Sequence, residues 1–152
     1  MKHKWNIREM QIQDIEQVTA LEESCFSIPW KKQDFIDILS NDNRIYVVAE
    51  KDEVILGGCM LTDIVGEGDI SNVAVLKNMR GQGIATALLD EILQIGTQQR
   101  GIKEYTLEVR KSNAAAIALY ENAGFVSEGI RPNFYEKPKE DAIIMWKREV
   151  KE

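Results

Sequence analysis

The most informative stretch of the chain reads Val75-Leu76-Lys77-Asn78-Met79-Arg80-Gly81-Gln82-Gly83-Ile84-Ala85. It joins a predicted strand over residues 69–76 to the most regular helical pattern in the chain, residues 83–99. The first turn of a helix has unpaired N–H groups and a positive dipole, and glycines allow a phosphate to approach them closely. Arg80 adds a permanent positive charge. The stretch therefore predicts a binding site for a pyrophosphate group at the start of this helix.

Three other interpretations of the same stretch compete with a pyrophosphate site. A P-loop requires Gly-Lys-Ser or Gly-Lys-Thr where the helix begins, and the stretch lacks it. A dinucleotide fingerprint would read Gly81-x-Gly83-x-x-Gly, but its last position is Thr86 and several predicted elements precede it. Glu104 does fit the acidic residue expected about 20 positions further on. A glycine-rich turn that binds no ligand stays open on the local pattern.

Hydrophobic periodicity on both sides of this stretch predicts a mixed α/β fold in one domain, residues 1–152. The predicted order of elements is β-α-α-β-β-β-α-β-α-β-β. Strands are predicted over residues 5–10, 44–50, 54–61, 69–76, 103–109, 125–130 and 142–149, and helices over residues 12–22, 32–39, 83–99 and 114–123. The strands on either side of helix 83–99 should pair in parallel through a right-handed crossover.

Local signals refine this order at two places. The glycine pair at residues 57–58 lies inside a predicted strand, which predicts a bulge or a close approach of two backbones. Asn113 is the predicted N-cap of the helix over residues 114–123. Gly124 is its predicted C′ residue, with Phe125 folded back onto the end of the helix.

The amino-acid composition limits the partners, metal sites and catalytic groups that this protein can have. The 152 residues include 19 Lys and Arg and 25 Asp and Glu, and the net charge of −6 argues against bulk binding to nucleic acid or an anionic membrane. One histidine, His3, and two cysteines, Cys25 and Cys59, are too few for a zinc site of about four ligands. Two distant cysteines favour a reducing, cytoplasmic setting, and no apolar run has the length of a signal peptide or membrane span. We therefore expect a catalyst built from carboxylate, tyrosine, backbone or cofactor.

The stretch Arg80-Gly81-Gln82-Gly83-Ile84-Ala85 matches the acyl-CoA signature Arg/Gln-x-x-Gly-x-Gly/Ala, and the sequence resembles the GNAT (Gcn5-related) N-acetyltransferases. Segments 26–30, 107–120, 131–135 and 140–145 are similar to the bacterial ribosomal-protein-alanine N-acetyltransferases (RimI type) within that superfamily. Three residues depart from the pattern. Met79 stands where the family usually has an aromatic residue, Ala85 replaces the last glycine, and Phe134 replaces the first tyrosine of a Tyr-Tyr pair.

The resemblance implies the GNAT acyl-CoA N-acyltransferase fold, acetyl-CoA as co-substrate and no metal. It also implies direct attack by the N-terminal alanine of a ribosomal protein, the eighteenth of the small subunit. The implied acetyl-CoA contacts are the backbone of Asn72, Val73 and Ala74, the loop residues Arg80, Gly81, Gln82, Gly83, Ile84 and Ala85, and Asn113. For Asn113, the role of N-cap and the role of ligand can coexist, because they can use different atoms.

Glu108 and Tyr120 are the candidate catalytic residues. On the local pattern alone, Glu108 is a solvent-facing strand residue and Tyr120 is a core tyrosine; the resemblance makes Glu108 the proton acceptor and Tyr120 the acid. An α-amino group has a pKa of about 7.7–8.0, so a mild base suffices. The pKa of tyrosine, about 10, exceeds that of a thiol, about 8.5, which favours a hydrogen bond to the departing thiolate over full proton transfer.

The candidate substrate-binding residues lie in aromatic, proline-containing segments, for which loop packing is the alternative: Trp30, Arg131, Asn133 and Tyr135. Two alternative functions stay open. One is acetylation of another protein N-terminus or of a small amine, and the other is an acyl-CoA sensor without turnover, against which the presence of Glu108 and Tyr120 argues. We expect no direct nucleic-acid or membrane partner. The sequence leaves the oligomeric state open and is compatible with a monomer.

Overall fold

The structure, a computed structural model, describes residues 5–149, so His3 lies outside the described residues. The described residues form seven strands and four α-helices in the predicted order, which is therefore confirmed. The strands are β1 (Asn6–Glu9), β2 (Arg44–Lys51), β3 (Val54–Ile64), β4 (Glu67–Val75), β5 (Glu104–Arg110), β6 (Val126–Tyr135) and β7 (Glu140–Lys147). The helices are α1 (Ile15–Cys25), α2 (Lys32–Leu39), α3 (Ile84–Arg100) and α4 (Ala114–Asn122). None of these helices has the length and apolar character that crossing a membrane requires.

The seven strands form one sheet in the order β1-β2-β3-β4-β5-β7-β6. Neighbouring strands are antiparallel except β4 and β5, which pair in parallel and are connected through α3. The predicted parallel pairing is confirmed, and the handedness of the crossover stays a prediction.

Strand β2 is buried on both sides, which shows that helices cover both faces of the sheet. Ile45, Val47 and Ala49 pack in a cluster with residues of α3 and α4. The residues between them, Tyr46 and Val48, pack in a second cluster with residues of α1 and α2. Successive side chains of a strand point to opposite faces of its sheet. This alternation therefore places α1 and α2 on one face and α3 and α4 on the other.

The sheet opens between β4 and β5. The described pairing of these strands covers only residues 67–69 of β4 and 104–106 of β5. Beyond it, β4 continues along β3 to Val75, and β5 continues along β7 to Arg110. The two strands therefore diverge. We call the gap between residues 70–75 and residues 107–110 the wedge.

A bulge in β4 borders the wedge. Cys59 of β3 lies alone opposite both Asn72 and Val73 of β4, and Asn72 has a left-handed φ of +56°. At Gly57 of β3, an added Cβ would lie 2.7 Å from the carbonyl oxygen of Ala74. Only a glycine permits this approach of the two backbones, so the prediction for the glycine pair is confirmed.

Four predicted boundaries were wrong by three residues or more: the ends of β6 and β3 and both ends of the first helix. β6 ends at Tyr135 rather than at residue 130, and β3 ends at Ile64 rather than at residue 61. The extension of β6 includes Pro132, which an edge strand tolerates because its missing N–H faces no partner strand. The predicted helix over residues 12–22 begins as a short 3-10 turn, and α1 itself spans Ile15–Cys25. The other boundaries are correct to within two residues.

Candidate active site

The predicted pyrophosphate site is a loop that ends at the first turn of α3. Gly81 and Gly83 have φ values of +81° and +91°, which glycine adopts without strain, and Gly83 is the N-cap residue of α3. A Cβ added to either glycine meets no described atom within 4 Å, so the loop faces open space. The first turn of α3 contains no acidic residue, and no side chain caps it. Its N–H groups and dipole are therefore available to an anion.

Arg80 lies in this loop with its side chain anchored on the protein. Its Nε donates a hydrogen bond to the carbonyl oxygen of Val75 at 3.1 Å, and its Nη2 donates to the sulfur of Cys25 at 3.7 Å. The residue is exposed, so its charge faces solvent beside the open loop. A guanidinium has five N–H donors, and these contacts leave others for phosphate oxygens.

A buried hydrogen bond joins the bulge of β4 to α1. The Nδ2 of Asn72 donates to Oε1 of Glu22 at 2.9 Å, and Glu22 is completely buried. Burial raises the pKa of the Glu22 carboxyl to about 7, and the hydrogen bond from Asn72 opposes the rise. The backbone of Trp30 also opposes the rise, and the hydroxyl of Tyr46 has no hydrogen-bond partner among residues 5–149. Sequence reasoning missed this contact, since helical spacing grouped Glu22 with the apolar Leu21.

Glu108 lies on the β5 side of the wedge with its side chain partly exposed. Its Oε2 forms an ion pair with the Nε of Arg131, a residue of β6, at 3.1 Å. Both residues line a cleft of about 340 Å³, which Thr106 and Trp146 also line. The structure therefore brings two predicted site residues together and places an arginine on the candidate base.

A second carboxylate in this cleft, that of Asp69, was not predicted. Asp69 pairs with Thr106 across the parallel ladder, and Glu108 follows two residues later on β5. Burial raises the pKa of Asp69 to about 6; the charge of Glu108 adds to the rise and Arg131 opposes it. No local pattern signals Asp69, because only the pairing of distant strands brings it beside β5. Among residues 5–149, no three His, Cys, Asp or Glu side chains form a group that could hold a metal ion.

The two candidate tyrosines of the site, Tyr120 and Tyr135, both have raised pKa values. Burial raises the pKa of Tyr120, on α4, above its usual value near 10, and Cys59 and Tyr135 add to the rise. Burial also raises the pKa of Tyr135 to about 12, and the charge of Glu108 adds to it. The guanidinium carbon of Arg110 lies 4.4 Å from the centre of the Tyr135 ring. Both phenols therefore keep their protons at neutral pH and can act as hydrogen-bond donors.

Asn113 caps α4 as predicted. Its Oδ1 accepts a hydrogen bond from the N–H of Ala116 at 3.1 Å. At the other end, Gly124 has a φ of +98°, and the ring of Phe125 packs edge-on against Tyr120 at 6.1 Å. The predicted N-cap, C′ residue and fold-back are confirmed. The cap uses only the side-chain oxygen of Asn113, so its Nδ2 stays available to a ligand.

The remaining candidates for substrate binding make contacts within the protein. Trp30 is half-buried, with its ring centre 5.7 Å from that of Phe35 and 5.5 Å from the guanidinium carbon of Arg44. Asn133 has a left-handed φ of +55°, and its N–H donates to Oδ1 of Asp141 at 2.8 Å. These contacts agree with loop packing, the alternative that the sequence left open for these two residues.

The chain is similar to known proteins over most of its length. Residues 15–125 match the model of the acetyltransferase (GNAT) family. The chain is 35% identical, over 147 residues, to a Bacillus subtilis (strain 168) protein provisionally named ribosomal protein bS18-alanine N-acetyltransferase, covering 96% of this chain and 97% of that protein. It is 34% identical, over 143 residues, to the ribosomal protein bS18-alanine N-acetyltransferase of Escherichia coli (strain K12), covering 91% and 94%.

The fold is also similar to that of a solved structure. The crystal structure of the ribosomal-protein-S18-alanine N-acetyltransferase from Escherichia coli matches with a TM-score of 0.87 and 29% sequence identity. The match covers 97% of this chain and 96% of that chain. The fold class predicted from the sequence is therefore confirmed.

Proposed function

The chain belongs to the acetyltransferase (GNAT) family, and on that basis we propose that it transfers the acetyl group of acetyl-CoA to the N-terminal alanine of ribosomal protein bS18. The names of its relatives support this substrate, since identities of 34% and 35% extend over 91% and 96% of the chain. The observation that carries the proposal is the wedge. On one side of it, β4 leads directly into the glycine loop; on the other, β5 carries Glu108.

The loop before α3 fits the pyrophosphate of acetyl-CoA. Its two glycines face open space, and the uncapped first turn of α3 presents N–H groups without a nearby carboxylate in that turn. The proposed contacts are made by Arg80, Gly81, Gln82, Gly83, Ile84 and Ala85, with Nδ2 of Asn113 as a further donor. Acetyl-CoA supplies an acyl group already activated as a thioester, so the protein has to orient it and move protons.

Backbone N–H groups of residues 72–74 are proposed to bind the carbonyl oxygen of the thioester. Negative charge develops on that oxygen as the amine attacks, and fixed N–H donors stabilise it. The bulge at Asn72 interrupts the regular ladder to β3. On the β5 side, the same segment has no strand partner among the described residues. This exposed backbone supports the proposed role.

Glu108 is proposed to take the proton of the attacking amine. Since an α-ammonium group has a pKa of about 7.7–8.0, a carboxylate acting directly or through one water is a sufficient base. The amine must approach beside Arg131 or displace it, because Arg131 lies 3.1 Å from Glu108. The nitrogen then bonds to the acetyl carbon while the carbon–sulfur bond breaks, and the amine proton passes to Glu108.

Tyr120 is proposed to donate a hydrogen bond to the departing thiolate of CoA. Burial raises its pKa above the usual value, so the hydroxyl stays protonated at neutral pH. A thiolate is a weaker base than a tyrosinate, which makes a hydrogen bond more favourable than proton transfer. The thiolate then takes its proton from solvent.

We further infer that residues 1–152 form one acetyltransferase domain that acts in the cytoplasm, where ribosomal proteins are made. The match of the family model to residues 15–125 and the 97% coverage by one solved structure support the single domain. Arg131 is the best supported of the proposed peptide-binding residues, because it contacts Glu108. Tyr135 is the next best supported, because the charge of Glu108 contributes to its raised pKa.

A peptide panel tests the proposed activity. The protein is incubated with acetyl-CoA and with peptides that begin with Ala, Ser or Met, a peptide with a blocked N-terminus and an internal lysine, a polyamine and an aminoglycoside, while released thiol is measured. We expect the highest kcat/KM for the Ala peptide that carries the bS18 N-terminal sequence. Preference for lysine, the polyamine or the aminoglycoside would refute the ribosomal assignment and leave the fold unaffected.

A further inference from the structure

Two half-buried carboxylates, those of Asp69 and Glu108, line the cleft beside the wedge, and the proposed mechanism uses only that of Glu108. We propose that the other, that of Asp69, binds the positively charged N-terminus of the acceptor peptide and thereby discriminates the substrate from its neutral acetylated product. This inference rests on the proposed function, since it concerns how the amine reaches Glu108.

Strand geometry places the two carboxylates on one face. Asp69 pairs directly with Thr106, and directly paired residues point to the same face of a sheet. Glu108 follows Thr106 by two residues, so it also points to that face, about 7 Å further along β5. Asp69, Thr106 and Glu108 accordingly all line the same cleft. An amine that reaches Glu108 through this cleft passes beside Asp69.

Of the two half-buried carboxylates in the cleft, Asp69 is the one without a close cation. Glu108 is compensated by Arg131 at 3.1 Å. Among residues 5–149, no Lys, Arg or His nitrogen lies within 4.0 Å of a carboxylate oxygen of Asp69. The remaining charged residue that lines the cleft is Glu67, which is exposed at its rim. With Asp69 and Glu108 set against one arginine, the interior of the cleft favours a cationic ligand without any contribution from the exposed Glu67.

The half-buried position of Asp69 makes the interaction dependent on pH. Burial raises its pKa to about 6, Glu108 adds to the rise and Arg131 opposes it. Asp69 is therefore ionised at neutral pH and loses its charge below about pH 6. The peptide α-amine remains protonated throughout that range, because its pKa is about 7.7–8.0. Attraction between the two groups should weaken as the pH falls from 7 to 5.

Acetylation removes the charge that Asp69 recognises. The substrate carries an ammonium group, whereas the product carries a neutral amide at the same position. A carboxylate in this cleft binds the ammonium by a charge-assisted contact and has no equivalent contact with the amide. The product should therefore bind more weakly than the substrate and leave the cleft readily.

Calorimetric titration of two matched peptides tests the role of Asp69. The Ala peptide with the bS18 N-terminal sequence and its N-acetylated form are titrated into the wild type, Asp69→Asn, Asp69→Glu and Glu67→Gln at about pH 7 and pH 5. At pH 7, we expect the wild type to bind the free-amine peptide about tenfold more tightly than the acetylated one. The wild type should lose most of this preference at pH 5, Asp69→Asn should show little preference at either pH value, and Asp69→Glu should keep the preference at pH 7. Glu67→Gln is the matched control, because it removes a charge from the same strand and cleft at an exposed position.

Steady-state kinetics separates binding from proton transfer. In Asp69→Asn, KM for the Ala peptide should rise about tenfold, with a smaller effect on kcat. A full preference for the free amine in Asp69→Asn, or a loss confined to kcat, would overturn the proposal for Asp69 while acetylation by the wild type still supported the proposed function. If the wild type neither bound nor acetylated the free-amine peptide, both proposals would be overturned.

Discussion

Replacing Glu22 by glutamine is expected to stabilise the protein at alkaline pH, although the variant loses a charged group. Glu22 is completely buried, and its Oε1 accepts a hydrogen bond from Asn72 at 2.9 Å. Burial raises the pKa of its carboxyl from an ordinary value of 4.5 to about 7. Above pH 7 the folded protein therefore carries a buried charge that the unfolded chain carries in water.

The sign and the size of the expected change in stability follow from how tightly the folded and unfolded states bind the Glu22 proton. Between pH 4.5 and about 7, the folded state holds the Glu22 proton more tightly than the unfolded state, so stability falls as the pH rises. At about 1.4 kcal/mol per pH unit, the free energy of unfolding of the wild type falls by about 3 kcal/mol over this interval. Glutamine cannot ionise, and its Oε1 can still accept from Asn72. Its new N–H groups need acceptors, and the protein loses about 1–2 kcal/mol of stability if they find none. The hydroxyl of Tyr46 is a buried group that has no hydrogen-bond partner among residues 5–149.

Urea unfolding at about pH 5 and about pH 8.5 measures the effect. We expect the free energy of unfolding of Glu22→Gln to exceed that of the wild type by about 1–3 kcal/mol at pH 8.5. At pH 5, this difference should be smaller by about 2 kcal/mol. Glu23→Gln is the matched control, because Glu23 is the next residue of the same helix and is exposed. A difference between the variant and the wild type that is the same at both pH values would refute the assignment of a buried charge to Glu22.

Three further substitutions test the proposed chemistry and the packing around it. Glu108→Gln should keep acetyl-CoA binding and lower kcat by about 10²–10⁴-fold at saturating peptide; unchanged turnover in a steady-state assay would remove Glu108 as the base. Tyr120→Phe should slow acetyl transfer with little change in the peptide KM, and a wild-type rate would exclude Tyr120 from the mechanism. Gly57→Ala should destabilise the protein by about 1–3 kcal/mol in urea unfolding and raise KM for acetyl-CoA, because its Cβ would lie 2.7 Å from the carbonyl oxygen of Ala74. Gly129→Ala is the control, since its Cβ would meet its nearest atom at 3.7 Å; equal losses in the two variants would contradict the packing argument.

The sequence predicted the order of elements because the hydrophobic pattern changes period clearly along the chain. In β5, buried Tyr105, Leu107 and Val109 alternate with partly exposed residues, and this alternation is visible without a structure. The ends of elements depend on less local causes. β6 extends past Pro132 because it is an edge strand, and the position of a strand in a sheet is a property of the whole fold.

Only part of the candidate active site was predicted from the sequence. The glycine loop was predicted from local chemistry, and the family resemblance singled out Glu108 and Tyr120. Asp69 and Glu22 were missed for a common physical reason. Asp69 acquires its position from a pairing with β5, and Glu22 acquires its burial and its contact with Asn72 from packing between α1 and β4. Neither long-range contact leaves a periodic signal in the chain.

Mass spectrometry of ribosomal protein bS18, after incubation with this protein and acetyl-CoA, tests the central claim most directly. Peptide mapping locates the modification, and Glu108→Gln serves as the comparison. We predict one acetyl group on the α-amine of the N-terminal alanine, formed by the wild type and strongly reduced in the variant. An acetyl group on a lysine side chain, no acetylation, or equal acetylation by Glu108→Gln would contradict the account.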